Sequence, residues 1–540
     1  MLTKIIKSSA NGDVTFQEKF SGPAAAILNT VLTGKKPREY DPVVRQFALT
    51  LNFHSPAAYD YVRTKLLGNC IPHKRTLTRW YAAINAKPGF TEEARVAIKC
   101  HVETLKAKGQ KLLLALSNDD MALRQQTTYN NDGSVDGFVG DIFDNVNDGS
   151  SVTRQACVFM AVAINGSWKI PVGYFPFDSM SSDVRKNLIE RCLEFIHGTG
   201  AEVVSLTFDG AKSYMTAVEH MGACQQPGPQ WKPYLPHPVE GEPPVHVILD
   251  AAHMIKLWRN TLGGGAAQLR DSEGRTISFD YIKKLHDFQE AEGLRAGNRL
   301  SKRHVNFQKT KMKVFLATQT LSTSVADAID ACRDDWHRPE FRGSEGTVKF
   351  IRMADTVFDI LNSTSLRSGS LFKQALHAKN FDQVRAKMQE AREYIKGLQA
   401  KRIKEAHFRP ILETVWHTGF LGFLVNMDSV EALHERLVVS KTLWFLPTYK
   451  LSQDHLEMFF GTVRARGGWN NNPSSSQFEA AYKRLLVHVQ LKEGKTGNCW
   501  PVETVAILHV SSKPLVATEM EAADEDLIQK SDHCYAKTSV

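Results

Sequence analysis

The stretch LSQDHLEMFFGTVRARGGWNNNP, residues 451–473, places two acids, Asp454 and Glu457, three residues apart among Leu456, Phe459 and Phe460, then turns basic and glycine-rich with Arg464 and Arg466. An anion beside apolar helical positions is costly unless a cation or hydrogen bonds compensate it. Further acids end apolar runs elsewhere: Asp119 and Asp120 after KLLLALSN, and Asp209 after VVSLTF. Acids at the ends of neighbouring central strands, joined by one on a packed helix, can converge. Carboxylates that close repel one another and are tolerated chiefly when a divalent cation neutralises them. Two metals held this way activate a water or hydroxyl and stabilise the leaving oxygen of an in-line phosphoryl displacement. Acids at strand ends are also common as solvated loop residues, and spacing alone leaves both readings open.

The elements that must position these acids can be read along the chain. Residues 40–105 have helical spacing, with Ser55-Pro56 as a helix start. IPHKRTLTRWYAAI follows, in which Thr76 can cap a helix carrying Arg79, Trp80 and Tyr81. A short helix, a tight turn and a basic, aromatic second helix suit a helix-turn-helix, while a helical bundle with Trp80 in its core is the equal alternative. From Lys111 the pattern changes to strands joined by Asn/Asp/Gly turns: KLLLALS, TTYNNDGSVDGFVGDIF and QACVFMAVAINGSWKIPVGYF. A helix over 182–197 capped by Ser181 or Ser182, the strand EVVSLTFDG, the helix AKSYMTAVEHMG and the strand VHVILDAAH complete the order of a mixed α/β sheet. Between about Thr261 and Lys450 long amphipathic helices take over, FDQVRAKMQEAREYIKGLQAKRIKEA among them, and this block reads as an insertion.

Composition bounds the class. With 540 residues, 42% hydrophobic and 23% charged, the chain is long enough for about three domains. Its eight cysteines form no CxxC pair and no Cys/His cluster, which argues against a structural zinc site and for a reduced, intracellular setting. No window of about 18 apolar residues predicts a membrane span, and the first residues lack the apolar core of a secretory signal. The net charge of +9, with acids gathered in the last segment, leaves a basic body suited to a polyanionic partner.

Taken as words in order, VRQFALTLNFHSPAAYDYVR, LTRWY, KPGF, DDMALRQQTTYNNDGSVDGFVG, LTFDG, LDAAHMIKLWRN, KVFLATQTLS, FDILNS and SQDHLEMFFGTVRARGGWNNNPSSSQFEAAYKRLL resemble the P element family of DNA transposases, including relatives with THAP-type zinc fingers. The resemblance covers roughly residues 40–490. It implies an α/β plus all-α fold: a ribonuclease H-like mixed sheet interrupted by a large helical insertion that binds GTP, preceded by a helix-turn-helix region. It implies Asp119, Asp209 and Glu457 as the catalytic, Mg²⁺- or Mn²⁺-binding acids, with Asp120 where the family has glutamate. It places guanine nucleotide contacts at Lys313, Val314, Ser322, Asp359 and Asp454, although no GxxxxGK[ST] phosphate loop occurs. Arg75, Arg79, Arg464 and Arg466 become candidates for DNA phosphates. DAAHMIKLWRN sets Asp250, His253, Lys256, Arg259 and Asn260 where the insertion begins, either as its anchors or as chemical groups. Before residue 40 no C-x2-4-C…C-x2-H module and no leucine heptad occurs.

The expected organisation is a tail over 1–39, a DNA-binding helical region over 40–108, the sheet domain over 109–262, a GTP-binding insertion over 263–449, the closing-glutamate helix over 450–495 and a C-terminal segment over 496–540. Expected partners are DNA, guanine nucleotide and further copies of the chain on DNA, with no membrane, in the nucleus. Cut-and-paste transposition with GTP as an assembly cofactor is the main reading. A silent, DNA-binding descendant is its chief rival, and a GTPase or a scaffold are weaker ones.

Overall fold

The computed structural model describes residues 27, 40–67, 70–82, 85–129, 135–137, 151–293, 297–465, 470–487 and 506–507. The expected tail apart from Ile27, all but residues 506–507 of the C-terminal segment, Arg466 and parts of the 130–150 segment lie outside the described residues.

The N-terminal helices are α1 (Pro42–His54), α2 (Pro56–Tyr61) and α3 (Lys74–Ala82). Ser55 caps α2 by accepting the Ala58 N–H at 3.1 Å, with proline in the first turn, as the Ser-Pro pair predicts. Helix α3 starts two residues before Thr76, and the His73 ring Nδ1 takes the Arg75 N–H at 3.2 Å. Trp80 packs edge-on against Tyr40, with the Arg45 guanidinium 5.0 Å above its ring, so the tryptophan serves this small core while Arg75 and Arg79 face solvent. That core ends at Tyr81. Beyond it, strand β1 (Gly89–Phe90) and helix α4 (Glu92–Ala107), expected to belong with the first helices, pack instead on the sheet, because Ala94, Ala97 and Ile98 offer the sheet an apolar stripe.

The sheet's main strands are β2 (Leu113–Ala122), β3 (Gln155–Ala163), β4 (Trp168–Phe177), β5 (Glu202–Phe208), the short β6 (Tyr234–Leu235) and β7 (Val245–Leu249). Their spatial order is β1-β4-β3-β2-β5-β7-β6, and residues 506–507 also pair with β4. β2, β3 and β4 are antiparallel neighbours, whereas β5 and β7 run parallel to β2. The parallel additions need crossovers. These are α5 (Ser182–His197), capped by Ser181, and α6 (Lys212–His220). The central strands β3 and β4 are buried almost throughout, as their unbroken apolar runs require.

Helix α7 (Ala251–Gly263) leads out of β7 into the insertion. Its main helices are α8 (Asp280–Glu292), α9 (Val314–Thr320), α10 (Thr323–Asp330), α11 (Glu345–Leu361), α12 (Phe381–Gly397) and α13 (His417–His434). The insertion is not purely helical. Residues 267–270, 276–277, 399–402 and 409–410 form a four-stranded antiparallel sheet, and the expected long helix from Phe381 stops at Gly397, where a Cβ would come 2.9 Å from the Ser272 Cβ. Helix α13 covers the sheet: Asn426 exchanges hydrogen bonds with both backbone groups of Leu249, and Ser429 donates to the Val247 carbonyl. The core is therefore continuous from the sheet into the insertion. Helices α14 (Asp454–Ala465) and α15 (Ser475–Val487) return the chain to the sheet through Phe459, Phe478 and Tyr482: Phe478 and Tyr482 stack on each other and pack against Tyr174, and Phe459 meets both edge-on. Among the described residues no helix is long and apolar enough to cross a membrane.

Candidate active site

Asp119 and Asp209 are brought side by side by strand register. Ser117 of β2 pairs with Thr207 of β5 in parallel, so Asp119 and Asp209, two residues further on, lie level on adjacent strands where β5 stops. β2 itself runs on to Ala122 against β3, so Asp119 and Asp120 lie within the strand rather than at its end, where the apolar run alone places them. Asp209 Oδ1 accepts the Ala211 N–H at 2.9 Å, and Gly210 between them adopts φ +83°, a conformation glycine takes without strain. Asp119 Oδ1 accepts the Asp120 N–H at 2.8 Å.

Successive strand residues face opposite ways, and the paired aspartates use this. Asp120 turns to the far face, where Arg185 of α5 grips both its oxygens at 2.9 and 3.2 Å, the Tyr214 hydroxyl donates at 2.9 Å, and the guanidinium lies 3.8 Å over the Tyr214 ring. This satisfied pair is structural. Asp119 faces the other side, towards Asp209 and Glu457.

Glu457 reaches the site because the turn before α14 is fastened to both strands. Thr207 Oγ1 donates to the Leu451 carbonyl at 2.7 Å, and Gln453 Nε2 donates to the Asn118 carbonyl at 2.7 Å. Gln453 N–H donates to Asp250 Oδ1 at 3.1 Å, while Asp250 Oδ2 caps α7 by accepting the His253 N–H at 2.8 Å. The three acids are thereby within electrostatic reach of one another. Burial first, then the charges of Glu457 and Asp209, hold the Asp119 carboxyl well above the usual carboxylate range. Burial raises Glu457 as well, Lys256 and Arg464 pull it down, and Asp250 and Asp209 push it up.

The residues of α7 divide between the two roles left open by the sequence. Arg259, fully buried, donates to the Lys311 carbonyl at 2.8 Å and lies 3.9 Å over Phe307, anchoring the insertion. Lys256, only 5% exposed, instead directs its charge at Glu457 and His253. Burial and Lys256 keep His253 below the ordinary histidine value, against the pull of Asp209 and Asp250. Sequence reasoning underrated Lys256 and missed Gln453; the i, i+3, i+6 spacing of Asp250, His253 and Lys256 on one helix was the available signal.

Oxygen donors of this kind suit a hard divalent cation, and their mutual repulsion is what such a cation would relieve. As they stand, no three His, Cys, Asp or Glu side chains among the described residues are grouped to hold one.

The remaining predicted residues fall in separate places. Lys313 and Ser322 immediately precede α9 and α10, Val314 opens α9, and Asp359 lies in the last turn of α11. Asp355 gathers part of this set: it accepts Thr323 N–H and Oγ1–H at 2.7 Å and stands one turn before Asp359, which Lys373 approaches to 3.5 Å. Asp454 begins α14, and its charge acts on Lys169 of β4. Arg464 sits in the last turn of α14, 5.9 Å over Phe460, on the Glu457 side of the helix; Arg75 and Arg79 are in the separate N-terminal core.

A cleft of about 550 Å³ opens beside Asp209, between the β5–α6 turn, one face of α7 and the start of α13.

Four family descriptions match successive parts of the chain: "Transposable element P transposase-like, HTH domain" over residues 3–80, "TNP-like, RNase H N-terminal domain" over 86–222, "TNP-like, GTP-binding insertion domain" over 252–375 and "TNP-like, RNase H C-terminal domain" over 449–483. The human protein DNA transposase THAP9 is 27% identical over 459 residues, covering 84% of this chain and 49% of the human one. The Drosophila melanogaster Transposable element P transposase is 24% identical over 461 residues, covering 84% and 55%. The chain thus spans about half the length of these relatives. A solved structure, the Drosophila P element transposase strand transfer complex, superposes with a TM-score of 0.69 at 21% identity over 87% of this chain and 96% of that one, and the shared fold is ribonuclease H-like with a helical insertion.

Proposed function

The chain belongs to the P element-type transposase family, and on that premise we propose that it is a DNA transposase that cuts the ends of a DNA element and joins them to target DNA. The observation that carries this reading is the mutual action of Asp119, Asp209 and Glu457, three acids from distant parts of the chain whose charges meet at one end of the sheet.

Asp119, Asp209 and Glu457 would hold Mg²⁺ or Mn²⁺. When bound, the metal supplies a nucleophile at neutral pH and neutralises charge on the phosphate. In the first step a water oxygen bonds to phosphorus, the bond from phosphorus to the 3′ oxygen breaks, and that oxygen leaves protonated. In the second the freed 3′ hydroxyl attacks a target phosphate, loses its proton and displaces the neighbouring nucleotide's oxygen. Lys256 offsets the carboxylate charge beside Glu457 and draws the phosphate towards it. Gln453 and Asp250 fix the helix that carries Glu457.

GTP acts in this proposal as an assembly cofactor, with Lys313 and Val314, Ser322, Asp359 and Asp454 as its contacts: carboxylates accept from the guanine edge and the lysine meets phosphate. Arg75, Arg79, Arg464 and Arg466 neutralise DNA phosphates, so binding weakens steeply with salt. The protein works as a homo-oligomer on DNA, in the nucleus.

Glu457→Gln should bind DNA like the parent and make no cut or joined product with Mg²⁺ or Mn²⁺; cutting at the parent's rate would sink the assignment. A DNA-binding descendant that does not cut is the second reading, favoured in that no three His, Cys, Asp or Glu side chains among the described residues are grouped to hold a metal. A parent chain that binds but yields no product with either metal would establish it.

A further inference from the structure

The cleft beside Asp209 is built for one nucleotide rather than for a helix side or a water network. Its volume, about 550 Å³, lies within the range of small-ligand pockets and is too small for a duplex. Its lining brings together Asp209, His253 and Leu257, Lys311, and Val415 and Trp416. Val415 is 66% exposed and Trp416 half-buried, an apolar edge left in water at the mouth of a polar site. An aromatic edge beside a cation is how proteins hold single-stranded nucleic acid, the ring taking the base and the cation the phosphate.

The backbone at Trp416 is held by hydrogen bonds. Trp416 N–H and the Ile411 carbonyl are both tied to Thr414 Oγ1, and the Thr414 carbonyl meets His417 Nδ1 at 2.8 Å. Gly419 presses α13 onto α7 so closely that a Cβ would come 2.7 Å from the Leu257 Cβ, and its carbonyl accepts the Trp258 indole N–H at 3.0 Å. The charge of the lining selects among nucleotides. The lining carries one lysine and one aspartate. A phosphodiester with a single negative charge suits one lysine, whereas a triphosphate carries several charges for that one cation to meet.

We propose that this cleft seats one unpaired nucleotide of the DNA strand next to the phosphate being cut, its base stacked on Trp416 and its phosphate held by Lys311. The proposal rests on the transposase reading above. It assigns the insertion a direct part in holding the substrate strand open, because Lys311 and Trp416 belong to the insertion while Asp209 belongs to the sheet.

The test uses the full chain and a DNA hairpin with a short 3′ single-stranded tail, one tail base at a time replaced by 2-aminopurine, with Ca²⁺ present so that the strand stays intact. One tail position should lose fluorescence on binding as its base stacks. Trp416→Leu should abolish that loss and weaken tailed DNA about tenfold while leaving a blunt hairpin unaffected, and Trp416→Phe should restore it. Lys311→Ala should weaken tailed DNA alone. Equal quenching in parent and Trp416→Leu, or equal loss on tailed and blunt DNA, overturns the subsite while DNA binding itself still supports the transposase reading. Displacement of the tail signal by GTP overturns the DNA assignment in favour of a free nucleotide. A parent that binds neither hairpin overturns both.

Discussion

Gln453 and Asp250 are joined across the active-site end of the sheet by a 3.1 Å hydrogen bond from the Gln453 N–H to Asp250 Oδ1. The same carboxylate caps α7 through its other oxygen. One buried side chain therefore sets the start of both helices that face the acids: α7 carries Lys256 two turns on, and α14 carries Glu457 one turn on. The insertion lies between these two helices in sequence, so its folding and the placing of Glu457 are linked through a single carboxylate.

Asp250→Ala removes the cap and the bridge together. The loss of a cap costs about 1 kcal/mol, a modest fall in melting temperature. The misplacement of Glu457 costs much more in rate, on the order of a hundredfold in DNA end cleavage. Asp250→Asn keeps one acceptor for the two donors and should fall between. Cleavage by Asp250→Ala within about threefold of the parent would show that α14 is placed by its other bonds alone.

Asp119→Asn should stabilise the fold while abolishing cleavage. Burial and the charges of Glu457 and Asp209 raise the Asp119 carboxyl in the folded state, so the folded chain holds its proton to higher pH than the unfolded chain. Stability is then greatest at acid pH and falls as pH rises from the ordinary aspartate value through the folded one. The amide removes that loss. Thermal melts should show a higher midpoint for Asp119→Asn at pH 7, a smaller difference at pH 4, and a rise with Mg²⁺ in the parent only. A lower midpoint at pH 7, or the same Mg²⁺ shift in both, would contradict this account.

Much of this was legible in the sequence because the elements concerned are local. Ser181 before an amphipathic run, Ser55 before Pro56, and the apolar strand ended by FDG are set by capping, turn and burial rules acting over a few residues, whereas NDD does not end its strand, which pairing with β3 carries on to Ala122. What escaped depends on long-range packing. Lys256 and Arg259 are three residues apart on one helix, and only tertiary contact decides that the lysine faces Glu457 while the arginine anchors the insertion. Arg185 sits among polar residues in the sequence of α5, yet it is buried on Asp120. The strand at 399–402 continues a helical pattern and is fixed by pairing with residues 267–270, more than a hundred positions earlier. Strand register, which sets Asp119 beside Asp209, is invisible to any local window.

Guanine nucleotide binding should strengthen as pH rises through neutrality if Asp359 reads the base. Burial, then the neighbouring Asp355, push Asp359 up to about 7, against the pull of Lys373. A protonated carboxyl cannot accept both guanine donors, so the competent form appears only above that value. Calorimetric titration with GTP should give an affinity about tenfold higher at pH 8 than at pH 6, and Asp359→Asn should flatten the profile at the weak end. A parent profile that is level between those values would remove Asp359 from the contacts.

Lys169 provides a stability test that needs no DNA. It is fully buried on β4, its Nζ 3.4 Å from His455 Nδ1, and burial lowers it to about 7 despite the favourable charge of Asp454. Below about pH 7 the lysine is charged in both states and the whole cost of burying that charge is present. Between about pH 7 and pH 10 the unfolded chain still binds the proton and the folded chain does not, so the parent's stability rises with pH across that window. Lys169→Met fills the same space without the charge. It should raise unfolding free energy by about 2 kcal/mol at pH 7, a figure reduced by the loss of Asp454's partner, with the gain shrinking towards pH 10. Denaturant unfolding at the two pH values measures this directly. A variant less stable than the parent at pH 7 would mean that the contact of Lys169 with His455 and the charge of Asp454 outweigh the desolvation of the ammonium, and that this pair fastens α14 to β4.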